Sequence, residues 1–241
     1  MSIVARAREG EIFTDTGFRL GPQIEAYLKS QKGQISTRGV GYHHPSSLAG
    51  CTRNLYYCRS GLAGRENTEL NLRFRFDTGH AVHGQLNKYV EKMFPQSVAQ
   101  TDVPLSAPSM FMAGEADMIV FDEVVIDFKT AATKSFAKVR PPIITPKGDV
   151  RPASMKGYVW QVHAYMAMAD IPMALILYYN KDNSRIMEVP VPFNRMVWEQ
   201  VEQKIDTVEA AFETGEVPDR EIDPFFCKNM CAYFAECKPG I

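Results

Sequence analysis

Two carboxylates and a lysine stand close together in the middle of the sequence. Asp117 closes the run Gly114-Glu115-Ala116-Asp117, and Asp127 and Lys129 follow in Asp127-Phe128-Lys129-Thr130. Side chains alternate along a strand, so Asp127 and Lys129 share one face with Val125 while Ile126 and Phe128 point to the other. A charged pair turned inward on an apolar strand is costly unless it is paired or bound to a metal. Two carboxylates converging on one point make a hard-oxygen site suited to Mg²⁺ or Mn²⁺. Such a cation polarises a phosphate ester and lowers the proton affinity of a water, and the Lys129 ammonium would position that water and offset the charge that develops on attack. The bland reading of the same residues is a surface hairpin with ordinary charges. Geometry sets a condition on the chemical one. For Asp117 to share a face with Asp127, the strands must be joined by an odd number of residues, for example the three at Asp122-Glu123-Val124, because a two-residue turn points Asp117 the wrong way.

A second group of chemically competent residues lies at the C-terminal end, where Cys227, Cys231 and Cys237 fall within the last fifteen residues. A fourth thiolate must come from Cys51 or Cys58. These are seven apart, hence near one helical face, and spacing alone does not choose between them. The first residues, Met1-Ser2-Ile3-Val4-Ala5-Arg6, hold no apolar run for a signal peptide, and no later stretch is long enough to cross a bilayer. The expectation is a soluble cytoplasmic protein in which thiols stay reduced and clustered cysteines are metal ligands before they are disulfides.

The elements that must position these groups follow from periodicity. The 241 residues can bury a full core, and the composition excludes disordered, collagen-like and coiled-coil classes. A short helix is expected at Pro22 to Leu28. A second should run from a serine cap in His44-Pro45-Ser46-Ser47-Leu48 to about Cys58, and a third from Asp77 to Phe94 on Val82, Leu86, Tyr89, Val90 and Met93. Between Val98 and Lys129 the period changes to that of three antiparallel strands. Prolines make Arg140 to Pro152 an irregular loop. A helix from Lys156 to Asp170, strands at Ala174 to Asn180 and Arg185 to Val191, and a helix from Asn194 to Thr214 complete the order. This is an α+β class with a mixed sheet flanked by helices. One domain is expected over 1–241, with a weakly patterned opening (1–45), a core (46–221) and a cysteine-rich tail (222–241).

His83 lies on the helix before the sheet, in Gly79-His80-Ala81-Val82-His83, and Gln161 and Tyr165 are four apart on one face of a later helix. The ordered set Gly79-x-x-x-His83, Gly114-x-x-Asp117, Asp127-x-Lys129 and Gln161-x-x-x-Tyr165 resembles the RecB-like branch of the PD-(D/E)XK nuclease superfamily, from about Ser46 onward. The resemblance implies a restriction-endonuclease-like fold and a metal-dependent deoxyribonuclease, with exonuclease action on single strands or DNA ends. It implies that His83, Asp117, Asp127 and the Phe128 carbonyl ligate Mg²⁺ or Mn²⁺, that Lys129 orients the attacking water, and that Gln161 and Tyr165 contact phosphate or brace the site. Cys51-Thr52-Arg53-Asn54-Leu55-Tyr56 is similar to the Cys-x-Arg-x-x-Tyr element of iron–sulfur nucleases in this branch. These include the CRISPR-associated adaptation nuclease, AddAB-type helicase–nucleases and viral exonucleases. That likeness selects Cys51, Cys227, Cys231 and Cys237 as ligands of a [4Fe–4S] cluster and leaves Cys58 spare, with Zn²⁺ as the alternative on four thiolates. A cluster there would pin the C-terminal end to an N-terminal helix and close a loop around the core, which offers on the order of several kcal/mol. Partners in DNA recombination, replication or CRISPR-linked processing are implied in the same way.

The net charge of −1 does not announce a nucleic-acid binder. The local distribution is more telling. Lys134, Lys138, Arg140, Lys147, Arg151 and Lys156 face a single acid, Asp149, so the loop after the Asp-x-Lys strand could contact a DNA backbone or simply be solvated. Tyr158 and Trp160 could stack on bases, although aromatics flanking a helix usually join the core, and His163 should pack against the sheet. His80 falls outside the resemblance and reads as a surface or core histidine. A noncatalytic DNA-binding or assembly subunit is the rival class, and the intact Asp117, Asp127 and Lys129 argue against it. An iron–sulfur redox or radical enzyme lacks both its cysteine loop and a Gly-rich cofactor turn here.

Overall fold

The computed structural model describes residues 20–36, 39–221 and 224–237. The reading of Met1–Arg6 lies outside them. Helix α1 (Leu20–Ser30) contains the short helix expected near Pro22. The next helix differs from expectation. A 3₁₀ turn at Pro45–Ser47 is followed by a break at Ala49-Gly50-Cys51, and α2 covers only Thr52–Arg59. No serine caps it. Cys51 holds the cap position without a side-chain hydrogen bond, and the Glu221 carboxylate accepts from the Thr52 amide at 2.9 Å and from the Thr52 hydroxyl. A carboxylate at this end satisfies a donor that the helix itself leaves orphaned and complements its dipole. Helix α3 (Leu70–Met93) begins well before Asp77.

The three strands expected after Val98 are β1 (Ala99–Ala107), β2 (Met112–Val120) and β3 (Val124–Ala131), an antiparallel meander. The segment expected to be irregular is partly ordered. It forms α4 (Thr133–Phe136) and a small hairpin of β4 (Ile143–Ile144) and β5 (Val150–Arg151). Its prolines flank these short strands or sit between them, where no ladder donor is lost. The hairpin is docked: Gln200 donates to the Lys147 carbonyl at 2.8 Å. Gly148, at φ +83°, comes so close to the backbone of Met196 that a Cβ would lie 2.7 Å from its oxygen.

Helix α5 (Lys156–Ala169) carries the chain to β6 (Met173–Asn180), which pairs parallel to β3, and β7 (Ile186–Pro192) closes the sheet antiparallel to β6. The five strands run in the order β1-β2-β3-β6-β7, a mixed sheet of the expected class. Helix α6 (Arg195–Thr214) starts at Asn194, whose side chain accepts from the Met196 and Val197 amides. The main core includes Val125, Ala174, Ile176, Val189 and Val191 of the sheet and Val159, Val162, Met166, Val201 and Ile205 of α5 and α6. His163 is wholly buried and ties two helices together: its Nδ1 lies 2.7 Å from the Val159 carbonyl and its Nε2 accepts from the Asn194 amide at 3.0 Å. The short helices α7 (Pro224–Asn229) and α8 (Phe234–Cys237) form the tail. Among the described residues no helix is long and apolar enough to cross a membrane.

Candidate active site

The connection between β2 and β3 has three residues, Phe121 to Glu123, because Val120 pairs with Val124. Its length is odd, as the shared-face condition requires, and it begins one residue earlier than Asp122. Phe121 and Asp122 both take left-handed φ values, 56° and 54°. Carried one step beyond Met118–Ile126, the register sets Asp117 opposite Asp127. The ladder stops short of that pair, and the Asp117 side chain serves as the acceptor there, with its Oδ2 taking the Phe128 N–H at 2.6 Å.

Helix α3 brings His83 to this point. Its Nδ1 lies 3.3 Å from Asp117 Oδ1 and its ring meets Phe128 edge-on, with centroids 5.6 Å apart. One turn earlier, Gly79 packs beside Thr130 of β3, at an ordinary contact distance for a Cβ. Asp127 is 1 % exposed and Lys129 Nζ stands 2.6 Å from its Oδ2. At that distance the ammonium is the partner of this buried oxygen and compensates its charge. Burial pushes the Asp127 carboxyl upward, Lys129 pulls it back, Asp117 pushes it up again and His83 pulls it down. Asp127 therefore feels all three of the other groups.

Helix α5 supplies the opposing wall. Gln161 donates to the Tyr165 hydroxyl at 3.2 Å, and burial raises the Tyr165 phenol, with Asp127, Asp117 and Glu115 acting in the same direction. Gly114 has a packing reason. A Cβ there would meet Pro45 Cδ at 2.8 Å and Tyr165 Cε1 at 3.2 Å, so the bare backbone lets both rings close on β2.

The expected ligand set is thus brought together, but not as a closed group. Among the described residues no three His, Cys, Asp or Glu side chains are arranged so that they could hold a metal ion. His83 and Asp117 spend donor atoms on each other, Asp117 on Phe128 and Asp127 on Lys129. Without a cation the carboxylates satisfy themselves on the protein's own positive and N–H groups, the lower-energy choice for buried anions. The donor set, two carboxylates and an imidazole, still has the chemistry that a divalent ion takes.

Cys51, Cys227, Cys231 and Cys237 line one cavity, together with Arg53 and Asn54. Cys58 does not line it; its sulfur faces the Tyr42 and Gly39 carbonyls at 3.5 and 3.8 Å. Asn54 donates to Cys231 Sγ at 3.4 Å and Arg53 to Cys237 Sγ at 3.8 Å, and burial pushes the Cys231 thiol upward. These thiols surround a cavity without closing on a point, and as four soft donors they suit an iron–sulfur cluster or Zn²⁺. The tail is held in place independently, by Arg65 N–H on the Ala232 carbonyl at 2.8 Å and Asn67 on the Lys228 carbonyl at 3.0 Å.

No protein-family model matches the chain, and no curated protein matches it. Solved structures do. The alkaline exonuclease LHK-Exo from Laribacter hongkongensis aligns over 74 % of this chain and 91 % of its own, at 13 % identity and a TM-score of 0.50. The same enzyme in complex with dAMP aligns over 73 % and 90 %, at 15 % identity and a TM-score of 0.52. The chain has the fold of this exonuclease. A further structure, of SSO0001, aligns over 92 % and 95 % at 16 % identity with a TM-score of 0.47.

On this exonuclease fold the basic residues Lys134, Lys138, Arg140, Lys147, Arg151 and Lys156 are all exposed. Arg140 spends one guanidinium nitrogen on the Ala137 and Val139 carbonyls. The two aromatics grouped together in the sequence separate: Trp160 is 4 % exposed and Tyr158 is 38 % exposed, with Lys129 Nζ over its ring at 5.2 Å. Sequence reasoning missed Glu221 as the partner of α2 and Pro45 as the reason for Gly114. No local signal marks either contact.

Proposed function

We propose that the chain is a divalent-metal-dependent deoxyribonuclease, an exonuclease that hydrolyses phosphodiesters at single strands or DNA ends. The observation that carries this reading is the His83–Asp117 pair beside the Lys129–Asp127 pair, from α3, β2 and β3, with Asp127 buried and set opposite Asp117 by the strand register. Likeness to the fold of an exonuclease adds support. His83, Asp117, Asp127 and the Phe128 carbonyl would hold Mg²⁺ or Mn²⁺. When bound, the cation would supply the charge that polarises the scissile phosphate and acidifies a water. Lys129, whose ammonium stands beside Asp127, would orient the water and face the charge that builds on the phosphate. Gln161 and Tyr165 would brace the opposite side of that phosphate. The exposed bases of the 134–156 segment would add backbone contacts.

Cys51, Cys227, Cys231 and Cys237 would hold a [4Fe–4S] cluster, or Zn²⁺ in its place, with a structural role. Their common cavity supports this assignment. The deciding experiment incubates end-labelled single- and double-stranded DNA with Mg²⁺ or Mn²⁺. Cleavage by the wild type and its loss in Asp127→Ala, with folding intact, is the expected result. Equal cleavage by both proteins, or none by either, sinks the reading.

A further inference from the structure

Tyr158 stands out on α5. Val159, Trp160, Val162, His163, Ala164, Tyr165 and Met166 are all buried, whereas Tyr158 is 38 % exposed. Its orientation is braced. Tyr178 meets it edge-on, at 6.4 Å between centroids and 77° between planes, and Tyr178 is itself buried with its hydroxyl on Met155 Sδ at 3.3 Å. The ring lies 5.2 Å from the Lys129 ammonium.

We propose that Tyr158 is a stacking platform for the nucleobase beside the scissile phosphate. This rests on the nuclease reading above. A phosphate held at Lys129 leaves its own nucleobase within reach of a ring at that distance. An aromatic ring that is part exposed, held edge-on by Tyr178 and beside Lys129 has the features that a stack needs. Every base has a π-face, so such a platform grips DNA without reading its sequence. Stacking would position the substrate end, and Tyr158 would act as a binding and positioning residue.

A simpler role would be to hold Lys129 by cation–π contact alone. The two roles differ in their dependence on the base. The test uses the full-length protein with Ca²⁺ in place of Mg²⁺ and oligonucleotides carrying 2-aminopurine at successive positions from each end. Wild type and Tyr158→Phe should quench the fluorescence at one position, and Tyr158→Leu should not. With Mg²⁺ or Mn²⁺, Tyr158→Leu should raise KM roughly tenfold or more on normal DNA. That difference should vanish on a substrate abasic at the quenched position, with thermal unfolding of the variant unchanged. Quenching by Tyr158→Leu equal to wild type, no quenched position at all, or a penalty that persists on the abasic substrate overturns the proposal. Cleavage that survives Asp127→Ala overturns the nuclease reading instead, since quenching with Ca²⁺ is read without turnover.

Discussion

The Pro45 ring occupies the space that a side chain on Gly114 would need, with its Cδ 2.8 Å from the ideal Cβ position. Tyr165 crowds the same spot at 3.2 Å. Gly114→Ala must therefore push the 3₁₀ turn at Pro45 or the Tyr165 ring away from β2. Overpacking of this kind costs about 1–3 kcal/mol. Urea denaturation should show that loss, together with weaker cleavage, because Tyr165 shares the site with Asp117 and Asp127. A variant as stable as wild type would mean that Pro45 yields freely.

Cys51 and Cys58 should behave differently on substitution. Cys51→Ser removes a thiol that lines the cavity shared with Cys227, Cys231 and Cys237, so bound iron or zinc and any visible absorption band should fall sharply. Cys58→Ser leaves that set intact and alters the contacts to the Gly39 and Tyr42 carbonyls and the packing with Cys231 and Tyr233. Metal analysis and absorption of the purified proteins compare them, and equal metal content in the two variants would remove Cys51 from the ligand set.

His163 makes stability depend on pH. Burial lowers its proton affinity below the ordinary value of 6.5, partly opposed by the Val159 carbonyl, so the folded protein resists a proton that the unfolded chain accepts. Its contribution is fully present above pH 6.5 and declines as the pH falls below that value. His43 acts with the same sign, since burial outweighs its contact with Glu209. His163→Gln should flatten part of the acid-side loss in unfolding free energy measured across this range. An unchanged pH profile would assign the loss to other groups.

The 134–156 segment should contribute electrostatically to DNA binding. Replacing Lys138 and Lys147 by Ala should weaken binding at low salt and reduce the slope of log affinity against log salt by roughly 0.9 for each phosphate that is no longer neutralised. Arg140 already donates to the Ala137 and Val139 carbonyls, so Arg140→Ala should also disturb the local turn. Titration by fluorescence anisotropy at several salt concentrations measures both effects, and an unchanged slope in the double lysine variant would leave the loop merely solvated.

Much of the acidic site was legible because its rules are local. Period-two alternation places Asp127 and Lys129 on one face, and an odd connection sets Asp117 on that same face, opposite Asp127 or Lys129 according to which residue opens the turn. The spacing of Gln161 and Tyr165 also depends only on neighbours in the chain. What tertiary structure alone decided involves partners far apart in sequence. Thr52 receives its cap from Glu221, 169 residues away, and no pattern around Thr52 encodes that contact. Helical geometry puts Tyr158 and Trp160 on different sides of α5, yet only the packing of the sheet and α6 determines that Trp160 goes inside and Tyr158 faces the site. Likewise Cys51 and Cys58 are equivalent by spacing and become distinct once the tail docks, when Cys51 lines the cavity of the three tail thiols and Cys58 packs behind Cys231. Periodicity states which residues share a face; which face is buried, and against what, is a property of segments that meet only in the folded chain.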